Sequence, residues 1–167
     1  MNTVGKSVLL AAVAAACMVA PGGEGEDCGG WYAGGAAQLV LPQGGARMRR
    51  LAGGAARAGF YATDALALEC EAAWMENVAG LSVRALWHLH GWNEFNMLFG
   101  YERFDPFVTA GARGWIHDGQ VGPSVGVGAF CHLTDSLSLR FDADATLGID
   151  TRTEMAFCLS VGLQWFF

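Results

Sequence analysis

The sequence predicts an all-β protein, an eight-stranded antiparallel up-and-down transmembrane β-barrel preceded by a signal peptide. Three observations predict it. The 167 residues are 53% hydrophobic and only 16% charged, yet no apolar run of about 18 residues follows the first 20. Apolar residues instead alternate with polar or small ones at a period of two, which is a strand pattern. A short charged start followed by an Ala-rich apolar stretch marks the chain for export. Low charge with high apolar content excludes disorder. A formal charge of −6 excludes nucleic acid as the main partner.

Residues 1–20 read as the signal peptide, 21–30 as a short linker and 31–167 as the barrel. Met1–Lys6 holds the only lysine, and Val8 to Ala20 is apolar. Two cleavage points stay open, after Ala14-Ala15-Ala16 and after Ala20, and the first lacks the leucine of a lipidation box. Export implies an oxidising compartment. Cys28, Cys70, Cys131 and Cys158 are scattered singly without a CxxC spacing, so no metal or redox motif is supported and disulfide pairing stays open.

Eight segments follow in order. Trp31–Leu41 is a strand with a Gly- and Ala-rich outward face. Gly54–Ala62 ends at the turn residues Thr63-Asp64, and Leu66–Met75 carries Glu69 and Glu71 on one face. Gly80–Trp92 carries Arg84. Pro106–Ile116 carries Arg113 and stops at His117-Asp118-Gly119, and Val121–Leu133 stops at Thr134-Asp135-Ser136. Leu137–Ile149 alternates Leu137, Leu139, Phe141 and Leu147 against Ser138, Arg140, Asp142, Asp144 and Thr146. Glu154–Phe167 alternates Met155, Phe157, Leu159, Val161, Leu163, Trp165 and Phe167 against Cys158, Ser160, Gly162 and Gln164. Most segments reach the ~9–11 residues a tilted strand needs to cross a bilayer. Residues 93–105 read as an elaborated, unusually apolar turn, because a ninth strand there would break the even parity of a single-chain barrel.

Ser160-x-Gly162-x-x-Trp165-x-Phe167 resembles the terminal assembly signal of outer-membrane β-barrel proteins, which the barrel-assembly machinery reads. Trp31-Tyr32-Ala33-Gly34-Gly35 resembles that family's opening strand, and Pro106-Phe107-Val108-Thr109-Ala110-Gly111 an internal one. Phe60-Tyr61-Ala62-Thr63-Asp64 and His132-Leu133-Thr134-Asp135-Ser136 are similar to its short periplasmic turns. The chain thus resembles the small eight-stranded proteins of the OmpA and opacity-protein type over nearly all of 31–167. The resemblance implies Sec export to a bacterial outer membrane and contact with its lipids and lipopolysaccharide. With Phe167 last, it also implies that no peptidoglycan-binding domain follows. The outward faces are expected to offer Leu, Val, Ala and Phe to lipid, with Trp and Tyr near strand ends as a girdle.

Alternation turns Arg57, Glu69, Glu71, Arg84, Arg113, Arg140, Asp142 and Asp144 inward, four arginines against four carboxylates. Counted up from their turns, they share one belt near mid-height. Arg57 is expected opposite Glu71, Arg140 opposite Phe130, and Asp142 and Asp144 opposite Gly128 and Gly126, which would leave room for long arginines. An interior salt-bridge network that fills a small barrel is the main reading. A narrow polar path for ions or small solutes is the alternative, and a soluble secreted lipid-binding barrel a further one. Catalysis at Glu69 and Glu71 lacks a substrate pocket. Ser82 sits too far along its strand from His88 to form a nucleophile pair, so no enzyme is expected.

His88, His90 and His132 are a weak metal candidate, read chiefly as hydrogen-bonded fillers, and no cofactor is expected. Arg47, Arg49 and Arg50 in the first loop would meet lipopolysaccharide phosphates or stay solvated. The remaining outward loops are short, which argues against adhesion or receptor roles. The expected protein is a monomer with a structural or envelope-maintaining role.

Overall fold

The computed structural model describes residues 30–43, 51–76, 78–89, 104–116, 120–148 and 154–167, and every regular element among them is a strand. The elements are β1 (Trp31–Gln43), β2 (Leu51–Thr63), β3 (Leu66–Met75), β4 (Val78–His88), β5 (Phe104–Trp115), β6 (Gln120–Thr134), β7 (Leu137–Gly148) and β8 (Glu154–Phe166). Each pairs antiparallel with the next, and β8 pairs with β1, so the sheet closes. All eight expected strands exist, but their ends differ. β2 starts three residues earlier than expected, β4 stops at His88 rather than Trp92, and Phe104 and Asp105 belong to β5 rather than to a turn. The signal segment, the linker up to residue 29, Arg47, Arg49, Arg50, His90 and 93–103 lie outside the described residues.

Closure carries a stagger. From Tyr32 the cross-strand partners run through Gly59, Glu69, Arg84, Gly111, Ser124, Thr146 and Ala156, and return to β1 at Pro42, ten residues along. Over eight strands this stagger corresponds to a tilt of about 40°. Two connections at the end that holds both described termini are two-residue turns, Asp64-Ala65 and Asp135-Ser136, each beside a register shift in the preceding strand. At the distal end β3 and β4 are also joined by two residues, and Glu76 takes the positive φ of 45° that so tight a hairpin demands. The seam is fixed at the terminal end by Phe167 N–H donating to Trp31 O at 2.8 Å.

The two faces of the wall differ sharply. On β4, Arg84 is 1% exposed and its neighbour Val83 is 61% exposed. Inside, three layers stack along the axis. Tyr32, Ala67, Leu86, Phe107 and Phe130 cluster at the terminal end, with Tyr61 and Phe166 packed against them. Val40, Ala55, Ala73, Met75, Trp115 and Cys158 cluster at the distal end. The charged belt lies between them.

The expected aromatic girdle needs one correction. Trp74, Trp87 and Trp165 face outward, but Tyr32 is buried, Tyr61 turns inward against it, and Trp115 caps the distal interior. Strand phase decides this. Tyr32, Tyr61 and Trp115 stand in step with the inward Gln38, Arg57 and Arg113, so they fill the lumen.

Candidate functional site

The belt is one connected network. Arg57, on β2, donates from Nε to Glu71 Oε2 at 2.7 Å, from Nη1 to Asp142 Oδ2 at 2.9 Å and from Nη2 to Ser160 Oγ at 2.7 Å. Arg84, on β4, reaches Asp144 Oδ2 at 2.8 Å through Nη1, and Glu69 and Glu71 through Nη2. Arg140, on β7, holds Asp142 Oδ1 through Nε and Nη2 at 2.9 and 2.6 Å, and grips Glu69 through Nη1 and Nη2. Arg113, on β5, donates from Nη2 alone, to Glu71 Oε1 at 2.9 Å and Asp144 Oδ2 at 3.3 Å.

Arg57, Glu71, Arg84, Glu69, Arg140 and Asp142 therefore form a closed circuit of alternating charge. Asp144 and Arg113 are fused onto it through Arg84 and Glu71. Each of the eight side chains is at most 2% exposed. Arginine suits the arrangement because a planar fork serves two or three carboxylates at once. Burying these ions without such partners would be prohibitive in a wall surrounded by apolar surface.

All eight residues expected in the belt are brought together. Arg57 stands opposite Glu71 and Arg140 opposite Phe130, while Asp142 and Asp144 stand opposite Gly128 and Gly126. The two glycines do not make the room for arginines that their position suggests. A Cβ on Gly128 would strike the Phe107 ring, and one on Gly126 would meet Asp144 Oδ1 and, at 2.8 Å, Thr109 Oγ1. The glycines make space for an aromatic ring and a carboxylate rather than for arginines. Arg140 then lies over the rings of Phe107 and Phe130, at 4.9 and 5.2 Å.

Several partners are not among the expected residues. Ser160, expected only within the terminal motif, accepts from Arg57 and donates to Asp142 Oδ2 at 2.6 Å. Thr109 donates to Asp144 Oδ1 at 3.2 Å. Asp105, expected in a turn, sits 2.6 Å from His88 Nδ1. It is in phase with Phe107 and Thr109, so carrying the alternation of β5 back by one step would have found it.

His132 Nδ1 meets Ser138 Oγ at 2.6 Å, and both His88 and His132 stack against Phe130. The two described histidines thus share an aromatic neighbour but bond to different side chains, His88 to Asp105 and His132 to Ser138. No group of three or more His, Cys, Asp or Glu suited to a metal occurs among the described residues. Cys70, Cys131 and Cys158 are free thiols, the first two on the outer face and the third in the distal cluster.

The terminal motif divides by face. Ser160 and Gly162 point inward, where a Cβ on Gly162 would press on the Ala36 backbone at 2.8 Å, while Trp165 and Phe167 are exposed.

No protein-family model and no curated protein matches the sequence. Solved structures do match the fold. The N-terminal β-barrel domain of Pseudomonas aeruginosa OprF aligns with a TM-score of 0.53 at 16% identity, over 80% of this chain and 97% of that one. Ail, the attachment invasion locus protein of Yersinia pestis, aligns with a TM-score of 0.55 at 11% identity, over 84% and 99%. A de novo designed transmembrane β-barrel aligns with a TM-score of 0.57 at 13% identity, over 81% and 95%. The chain has the fold of the small eight-stranded outer-membrane barrels. That a designed barrel shares it at a similar score separates the fold from any one activity.

Proposed function

We propose that the protein is an integral bacterial outer-membrane barrel with a structural, envelope-maintaining role and no catalysis. The observation that carries the reading is the pairing of an apolar outer wall with a filled interior. Outward residues Met155, Phe157, Leu159, Val161, Leu163 and Trp165 line β8 without interruption. Ten residue steps at ~3.3 Å and a tilt of about 40° span about 25 Å, the height of the lipid-facing band of such barrels. Closure satisfies the backbone groups of every strand, as an apolar surround requires.

Apolar clusters cover the belt on both sides, which favours a scaffold over a conduit. A lumen packed with side chains likewise leaves little room for the hydrophobic ligand of a soluble lipid carrier. The same reading has the chain exported by the Sec route, assembled by the barrel-assembly machinery through its terminal strand, and monomeric in the membrane. Arg47, Arg49 and Arg50 would then face lipopolysaccharide phosphates.

Two measurements test it. Cell fractionation with a gel-shift assay should place the protein in the outer membrane, with a band that moves on boiling in detergent. Recovery in the soluble periplasm would overturn the placement. In planar bilayers the purified barrel should show no sustained conductance. Steady openings that Arg84→Ala enlarges or abolishes would replace the scaffold with the narrow pore.

A further inference from the structure

β4 and β8 carry the same pattern, Leu-Ser-Val-x-x-x-Trp, at 81–87 and 159–165. Both serines face inward, and each stands opposite a belt carboxylate on the preceding strand, Ser82 opposite Glu71 and Ser160 opposite Asp142. The two sites are therefore built alike, and one serves as the reference for the other. At Ser160 the hydroxyl is saturated, accepting from Arg57 at 2.7 Å and donating to Asp142 at 2.6 Å.

At Ser82 the hydroxyl has no protein partner. Arg113, its cross-strand neighbour on β5, spends only Nη2 on carboxylates; Nε and Nη1 are buried without an oxygen or nitrogen partner, with the Cys158 thiol beside the guanidinium. The hydroxyls of Ser124 and Thr146, paired across β6 and β7, are in the same condition. All four residues are at most 4% exposed.

The surrounding geometry joins these groups. Within the β5–β6 pair Arg113 faces Gly122 and Ser124 faces Gly111, so on that side of each the opposite position carries no side chain. The Trp115 ring, 5.8 Å from the Arg113 guanidinium carbon, closes the distal side together with Met75 and Cys158.

We propose that Ser82, Arg113, Ser124 and Thr146 form a buried hydration site that holds a small cluster of water molecules between the charge belt and the distal cap. The donor set selects water. Guanidinium groups only donate, whereas the three hydroxyls both donate and accept, and a water molecule does both. The belt is already balanced at four charges of each sign, so a neutral ligand leaves it undisturbed, while an anion would add an uncompensated charge. Buried polar groups without protein partners are where ordered water is held.

Nuclear magnetic resonance of the folded barrel in detergent micelles tests this. A water-selective Overhauser experiment should show long-lived water at the Arg113 Nε–H. It should show none at the Arg57 Nε–H, which donates to Glu71 and is the internal control. The double variant Ser82→Ala, Thr146→Val should weaken the Arg113 signal several-fold.

A dispersed wild-type spectrum without that signal would overturn the proposal. So would a shift of the Arg113 Nε–H when chloride is exchanged for bromide at fixed ionic strength, which would make the ligand an anion. If the double variant does not fold, the wild-type contrast between Arg113 and Arg57 still decides. The test is independent of the membrane placement, because it reads the barrel interior alone.

Discussion

Arg140 binds Glu69 and Asp142 with its fork and covers Phe107 and Phe130 with its face. It therefore joins the charge belt to the aromatic layer beneath. Truncating it leaves two buried carboxylates short of a partner, which typically costs about 3–5 kcal/mol. Arg140→Ala should lose stability of that order in denaturant unfolding of the micelle-folded barrel. Arg140→Lys should recover only part of it, because the ammonium keeps the charge but not the fork. Loss below about 0.5 kcal/mol, the scale of ordinary surface substitutions, would show that the network does not hold the barrel.

Ser160→Ala should cost less, about 1–3 kcal/mol, since it leaves Arg57 Nη2 without its acceptor and takes one of two donors from Asp142 Oδ2, which keeps Arg57 Nη1. The charged members of the belt were legible because each is a charge at an even step along an apolar strand. Ser160 and Thr109 were not, because a small hydroxyl on an inward face has the same pattern whether or not it holds a carboxylate. Their roles depend on where Arg57 and Asp144 reach across the lumen, and that is a property of the closed barrel.

At the scale of the strand, alternation fixes phase far better than it fixes ends. The inward set of β7 came out residue for residue, whereas β2 gained Leu51 to Gly53 and β5 gained Phe104 and Asp105. Strand ends are set by where the neighbouring strand still offers a partner, as Leu51 finds Val40 and Asp105 finds Phe130. A single strand does not contain that information. Tyr32 and Tyr61 are the converse case, since their residue type suits a girdle while their phase turns them into the lumen.

Phase also makes the lipid-facing reading testable. Val161 lies midway along the outward row of β8, and Met155 lies at its distal end. Val161→Arg should destabilise the barrel in lipid vesicles by about 2–4 kcal/mol and Met155→Arg by about 0–1 kcal/mol, following the depth dependence of charge in a bilayer. Equal effects at the two positions would mean that the outer face does not meet a hydrocarbon core.

For the whole molecule, closure and the belt act together. Arg57–Asp142, Arg84–Asp144, Arg113–Glu71 and Arg140–Glu69 each link a strand of the first four to one of the last four across the lumen. Neighbouring strands are already joined by backbone pairing around the wall, so these ion pairs are cross-ties that make separate opening of either half costly. An opened seam would expose the unpaired edges of β1 and β8 and, in the same event, uncover a neutral set of buried charges whose partners sit on the other half. Unfolding is therefore expected as one cooperative transition, with coincident midpoints by far-ultraviolet circular dichroism and by tryptophan fluorescence. Arg84→Ala removes a tie to Asp144 and two to Glu69 and Glu71. It should move both midpoints down together, since no half retains a complete network of its own. If the fluorescence transition instead separates from the loss of strand signal, the two halves open independently and the cross-lumen pairs do not couple them.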